Sequence, residues 1–425
     1  MNIYALIILV ALALNYILGL VSDILNLKAL GTDLPEELKD LYDAEDYKKS
    51  QQYTRVQTKF GFVTGLFDLI VLLLFWFSGG FNYFDTMIRE LGFGSIMTGL
   101  LYIGLLMFIK MVIALPFSIY STFVIEERFG FNKTTPKTFI LDMIKSFFLF
   151  TIIGGPFLAA VLALFEFFGT NAWFYCWITA TIFILFIQFI APTWIMPLFN
   201  KFDPLEDGEL KQSILKYAES VKFSLENVFV MDGSRRSSKS NAFFSGFGKH
   251  KRIALFDTLI ERHTVPELVA IMAHEIGHYK KKHILQAMLI GIVHMGIMLF
   301  LLSIFVSHKG LFDAFYIETP SVYCGFIFFG LLFSPIEMIL NVLMQILSRK
   351  NEYEADRFAL ETTGDTEPLI SALKKLSVHN LTNLTPHPFY VFLHYSHPPL
   401  FERIKAIRAM FIKLSSPQGS AATGN

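Results

Sequence analysis

Charge is scarce in this chain. Asp, Glu, Lys and Arg together make up 17% of its 425 residues, and the two signs balance to a formal net charge of zero. An ordinary soluble domain carries more. Cysteine is scarcer still: the two present, Cys176 and Cys324, exclude a disulfide framework. Both fall near the outer ends of apolar runs, which permits one bridge, but two small buried hydrophobes are the simpler expectation. No internal repeat, glycine-rich phosphate loop or nucleic-acid motif occurs, so no nucleic-acid partner is expected. The amino terminus lacks the basic start and clear small-residue cleavage site of a secretory leader, and its apolar run is read as a retained span.

What fills the chain instead is apolar: 53% hydrophobic residues, 46 of them Phe, and a mean hydropathy of +0.50. Runs long enough to cross a hydrocarbon core of roughly 30 Å extend from Ile3 to Val21, Phe60 to Gly80, Ser95 to Ile125, Phe139 to Phe165, Ala172 to Met196, Ile284 to Val306 and Val322 to Leu347. Seven spans predict a polytopic membrane protein. Lys and Arg then set its orientation, since residues 22–59 hold six, 126–138 three, 197–283 fourteen and the segment from 348 onward nine, against at most one in each alternate loop. By the positive-inside rule the amino terminus lies outside and the carboxy terminus in the cytoplasm. The sequons at Asn132, Asn380 and Asn383 all fall on that cytoplasmic side and are read as unmodified.

The chemistry is carried by His274-Glu275-Ile-Gly-His278. Thr264 and Glu267 form a capping box with Pro266 in the first turn, so the motif sits inside one helix that starts just before it. Residues four apart share a helix face, so His274 and His278 can offer two imidazoles to one metal ion, with Glu275 directed at the adjoining space. A catalytic zinc takes a third protein ligand. The variant with a glycine and a third histidine seven and ten residues after His274 is excluded, because Lys281 and Ile284 stand there; His283 is read as an interfacial residue rather than a ligand. The alternative takes a carboxylate from a later helix. Glu352 and Asp356, four apart, supply it: Glu352 as ligand, Asp356 accepting the second ring N–H of a ligating histidine.

Ionisable groups also appear within spans. Asp68, Lys110, Asp142 and Lys145 are expected to pair or snorkel. Glu337, Asn341 and Gln345 recur every four residues on one face of the seventh span, and His294 lies at a similar depth in the sixth. Polar groups are costly against lipid, so these four are expected to line a water-filled chamber, with helix packing as the alternative. Residues 42–55 read as a surface helix, Asp207 to Val221 as an amphipathic helix, 227–232 and 252–257 as short strands, and 240–244 as an edge strand above the metal. The chain accordingly divides into 1–200 with five spans, 201–283 as a loop domain with the motif helix, 284–347 with two spans, 348–415 as a helical part with the third ligand, and 416–425 as a disordered tail.

Together with Glu126-Glu-Arg-Phe-Gly-Phe-Asn-Lys-Thr-Thr135, Ser240-Asn241-Ala242 and Ser396-His397-Pro398-Pro399-Leu-Phe-Glu-Arg403, these motifs resemble the type I CAAX prenyl proteases, integral-membrane zinc metalloproteases that include the yeast a-factor converting enzyme. The likeness runs over nearly the whole chain. It implies a mainly α fold, seven transmembrane helices enclosing a chamber and capped by a cytoplasmic gluzincin-type zinc domain with a small β element. It implies one Zn2+ per chain on His274, His278 and Glu352, with Glu275 as base and His397 stabilising the oxyanion. Asn241 and Ala242 match the strand that pairs with the substrate backbone, and Arg403 a residue near the substrate's carboxy-terminal end. The activity implied is removal of the last three residues after a prenylated cysteine, by a protein acting as a monomer in a bacterial inner membrane or the endoplasmic reticulum. A membrane quality-control protease of the heat-shock type uses the same motif, and a non-catalytic chamber is the alternative from another class.

Overall fold

The computed structural model describes residues 2–31, 43–225, 227–245 and 252–415; the expected tail lies outside them. The membrane part opens with α1 (Ile3–Ala29), α2 (Ala44–Phe77), α3 (Gly80–Arg89) and α4 (Ser95–Tyr120), which runs on as a π-helix to Glu126. A second π segment, Phe150–Gly154, joins α5 (Pro136–Leu149) to α6 (Gly155–Phe168), and α7 (Ala172–Ile190) follows. Among the described residues six continuous helical stretches are long and apolar enough to cross a membrane. The one from Pro136 to Leu198 turns back at Gly169, whose φ of 53° suits glycine, and α6 then packs along α7. That stretch therefore makes two passes, and seven crossings result. The polar segment from Ala44 is not a separate surface helix: no breaker stands between it and the second span, and α2 runs through both.

The remaining elements are β1 (Phe202–Pro204), α8 (Glu209–Ser220), β2 (Asn227–Met231), β3 (Ala242–Ser245), β4 (Arg252–Phe256), α9 (Asp257–Ile260) and α10 (Val265–Lys280). They are followed by α11 (His283–Phe305), α12 (Lys309–Asp313), α13 (Val322–Thr363), α14 (Glu367–His379), α15 (Pro388–His394) and α16 (Leu400–Ser415). The sheet order is β1-β2-β4-β3. β2 runs parallel to β4 with Val228 opposite Ile253, and β3 runs antiparallel to β4 with Ala242 opposite Leu255. β3 is thus an edge strand, as expected, but it starts at Ala242, with Ser240 and Asn241 leading into it.

Two large apolar cores follow from this layout. One, in the membrane part, is built around Trp76, Tyr102, Phe312, Phe315 and Phe328. The other joins the sheet, through Val228, Ile253 and Leu255, to α10, α14 and α16. Cys176 and Cys324 are buried and unbonded. α13 links the two regions: its 42 residues make a single rod about 63 Å long at 1.5 Å per residue. The seventh span and the helix carrying Glu352 are therefore one element.

Candidate metal centre and its cleft

The local sequence places the centre where two helices touch. α10 begins at the capping box: the Thr264 N–H donates to Glu267 Oε2 at 2.8 Å while the Thr264 side chain caps the amide three residues on. About three turns later α10 crosses α13 at Gly277. A Cβ built on Gly277 would stand 3.1 Å from the Ala355 carbonyl oxygen. Gly277 precedes His278 and Ala355 precedes Asp356, so the smallest side chains at the crossing let the ligand-bearing turns approach each other.

His274, His278 and Glu352 meet there, with their ligand atoms all within 4.8 Å of one another. The two Nε2 atoms are 3.1 Å apart, and Glu352 lies 3.4 Å from that of His274 and 3.2 Å from that of His278. Behind His274, Asp356 takes the other ring nitrogen, Nδ1, at 2.9 Å. A carboxylate accepts only, so His274 carries its proton on Nδ1 and presents a lone pair at Nε2. Glu352 Oε2 is buried without a hydrogen-bond partner. Lone pairs converging on a few ångströms, with a buried carboxylate oxygen whose near neighbours, Arg403 and His274, stand at ion-pair distance, fit a cation at their centre, and the N, N, O donor set suits a borderline metal ion. Burial opposes a charge on His274, yet Asp356 and Glu352 raise its affinity for a proton well above the usual imidazole range, so its Nε2 favours a cation, and a metal ion there takes the place of the proton.

The surrounding groups divide by what holds them. Glu275 is half-buried beside both histidines, and burial raises its pKa above the ordinary glutamate value. His397 places Nε2 3.3 Å from Glu352, with the Ser396 hydroxyl 2.8 Å from its Nδ1. Arg403, which the resemblance sets near the substrate's carboxy-terminal end, packs against the centre itself. Its guanidinium is buried, with Nε donating to Asp356 at 2.8 Å and Nη1 3.3 Å from Glu352. It is committed to carboxylates of this chain, where the like charges of Glu352 and Asp356 need a cation between them.

Asn241 is exposed just before β3, its side chain accepting the Ala242 N–H. The preceding residue is fixed by Asn380, which the sequence marked only as a sequon. Asn380 accepts the Ser240 N–H at 3.0 Å and donates to the Ser240 carbonyl at 3.1 Å, as a neighbouring strand would. Lys239 is held by Tyr53 Oη at 2.8 Å and Glu126 at 3.0 Å, with the Phe131 ring beneath it. The Glu126–Thr135 motif thus ties the strand's entry to the membrane part. All three sequon amides are occupied, Asn383 donating to Asn26 and Asn132 to Glu127. His283, expected at an interface, is buried with Nδ1 3.1 Å from His278 Nδ1. No short motif signals that contact, because it depends on the turn between α10 and α11.

Farther along α13, Glu337 Oε2 lies 3.1 Å from His294 Nε2 of α11, Asn341 is exposed and Gln345 half-exposed. Ile336, Ile339, Leu343 and Ile346 of the same helix are also exposed. At 100° per residue these apolar side chains project opposite to the polar stripe. α13 is therefore open on two sides, apolar on one and polar on the other.

Comparison with known proteins agrees with this geometry. Residues 23–201 match the CAAX prenyl protease N-terminal family, five membrane helices, and residues 204–411 match peptidase family M48. CAAX prenyl protease 1 of Saccharomyces cerevisiae is 36% identical over 88% of each chain, and its homologue in Homo sapiens is 33% identical over 89% of each. The crystal structure of S. mikatae Ste24p superposes with a TM-score of 0.91 at 36% identity, covering 96% of this chain and 99% of the other. With both regions matched and relatives similar along nearly its whole length, the chain belongs to the M48 metalloproteases of the CAAX prenyl protease type.

Proposed function

We propose that the chain is a zinc-dependent membrane endopeptidase that removes the carboxy-terminal tripeptide of prenylated proteins ending in cysteine plus three residues. The observation that carries the reading is the acceptor cluster of His274, His278 and Glu352, with Glu275 beside it, on a fold shared with relatives named CAAX prenyl protease 1. His274, His278 and Glu352 would hold one zinc per chain, which when bound would lower the pKa of a water toward ~7 and polarise the scissile carbonyl. Glu275 accepts the proton of the attacking water and returns it to the leaving amine. His397, whose Nδ1 meets the Ser396 hydroxyl, donates a hydrogen bond from Nε2 to the oxyanion as it forms. Asp356 keeps His274 in its ligating tautomer, and Arg403 balances the carboxylate charge.

The substrate enters as an added strand on the open edge of β3 past Asn241 and Ala242, with main-chain hydrogen bonds setting its register. Such bonds carry little side-chain information. Selectivity then falls to the lipid, since burying a fifteen-carbon chain is worth several kcal/mol at about 0.8 per methylene-sized unit. The Lys and Arg pattern supports an orientation with the amino terminus outside and the zinc site at the cytoplasmic face of the membrane, and on this reading one chain suffices for activity. Mass spectrometry of a farnesylated peptide and its unprenylated twin after digestion tests the proposal: the prenylated peptide is cut far faster, at one bond after the cysteine. Equal cleavage, with cuts scattered through unfolded membrane proteins, would assign the chain to quality control instead.

A further inference from the structure

We infer that His283, held in turn by Glu354, is a positioning residue that fixes His278 in its ligating tautomer. The inference rests on reading His278 as a zinc ligand. Asp356 orients His274 directly, and among the described residues no carboxylate is in contact with Nδ1 of His278; what meets that nitrogen is another imidazole, His283 Nδ1, at 3.1 Å. Two imidazoles can settle such a contact either way, with either ring as donor. Glu354 decides it. Its Oε2 lies 3.2 Å from His283 Nε2, and because a carboxylate can only accept, the neutral His283 ring carries its proton there. Its Nδ1 is then the lone pair, His278 must donate from its own Nδ1, and the His278 lone pair is left at Nε2, 3.2 Å from Glu352 Oε1. The order Glu354, His283, His278 reproduces in two steps what Asp356 does for His274 in one.

The backbone supports this arrangement. Between α10 and α11 the chain turns on Lys282, at φ 61° and ψ 26°, a left-handed conformation uncommon for a lysine. That turn makes His283 the first residue of α11 and returns it beneath His278, five residues earlier, with only 5% of its surface exposed. Glu354 arrives from α13, two residues beyond Glu352. The carboxylate at the end of this relay therefore comes from the same helix as the third ligand, and the imidazole between them from α11.

The test is zinc affinity in the purified full-length protein, measured by competition with a chromogenic chelator, beside the thermal midpoint of each zinc-free variant. His283→Phe keeps the buried volume but removes the acceptor, and is expected to bind zinc about 10–100-fold more weakly with an unchanged zinc-free midpoint. His283→Asn places a carbonyl oxygen near the position of Nδ1 and is expected to recover most of the affinity. Glu354→Leu, at a partly exposed site, is expected to weaken binding several-fold without disturbing the core. Wild-type affinity in both His283→Phe and Glu354→Leu would overturn the inference, as would His283→Asn binding as weakly as His283→Phe, which would mark a packing role. A wild-type protein without a tight zinc site would instead overturn the assignment of the centre itself.

Discussion

On the proposed reading Glu275, unlike its neighbours, is not a metal ligand, so its loss should separate chemistry from metal binding. Glu275→Gln fills the same space but cannot accept a proton. It is expected to keep one zinc per chain while peptidase activity falls by about 10²–10⁴-fold, measured by metal analysis and peptide cleavage on one preparation. Glu352→Ala should lose metal and activity together, and stoichiometric zinc in that variant would mean the third ligand is another group. At this scale His274, Glu275, His278, Glu352 and Asp356 were readable, because helix periodicity converts a spacing of four into a shared face. Arg403 and His283 were not. Their partners, Asp356 and His278, are set by a helix packing and a turn that no local pattern encodes.

The helix α10 owes its position to its first turn and to its crossing with α13. Burial alone would raise the Glu267 pKa, but the Lys375 ammonium, the Ser371 hydroxyl and the Thr264 N–H hold the carboxyl down to about 2. A depressed folded-state pKa contributes stability that is complete above the ordinary value of 4.5 and lost as pH falls toward about 2. Glu267→Gln should therefore destabilise the protein by about 1.5–3 kcal/mol at pH 7, and the gap to wild type should shrink below pH 4.5, as followed by thermal melts across pH. Gly277→Ala probes the crossing. Its methyl group would press on the Ala355 backbone at 3.1 Å, costing about 1–3 kcal/mol and weakening zinc binding by spreading the ligand-bearing turns. Unchanged metal affinity would show that the two helices can separate without moving the ligands.

The membrane and protease regions share α13, and its two exposed faces demand two different surroundings. Lipid suits Ile339 and Leu343, while Glu337, Asn341 and Gln345 face a space that must hold water or protein polar groups. Single cysteines at 341 and 345, in a background with Cys176 and Cys324 replaced, are expected to react with small water-soluble thiol reagents, and cysteines at 339 and 343 to stay silent. Silence on both faces would favour packing of the stripe against another helix. From Glu337 to Glu352 the helix rises about 22 Å at 1.5 Å per residue, so such a chamber would lead to the metal centre along one rigid element.

By itself the sequence determined whatever depends on periodicity and composition: seven apolar passes, the capped helix with its two histidines, the strands 227–231 and 252–256, and the pairing of Glu352 with Asp356. Each is a local pattern in which neighbours along the chain are neighbours in space. Only the tertiary structure decided that the polar stretch after residue 43 continues into the second span, that Asn380 serves as a strand partner for Ser240, and that Arg403 closes onto Asp356 and Glu352. It alone returned His283 to His278 through the left-handed turn at Lys282. Those contacts join residues from separate elements or across a reversal of the chain, and hydrogen-bond geometry selects them only after the helices have packed.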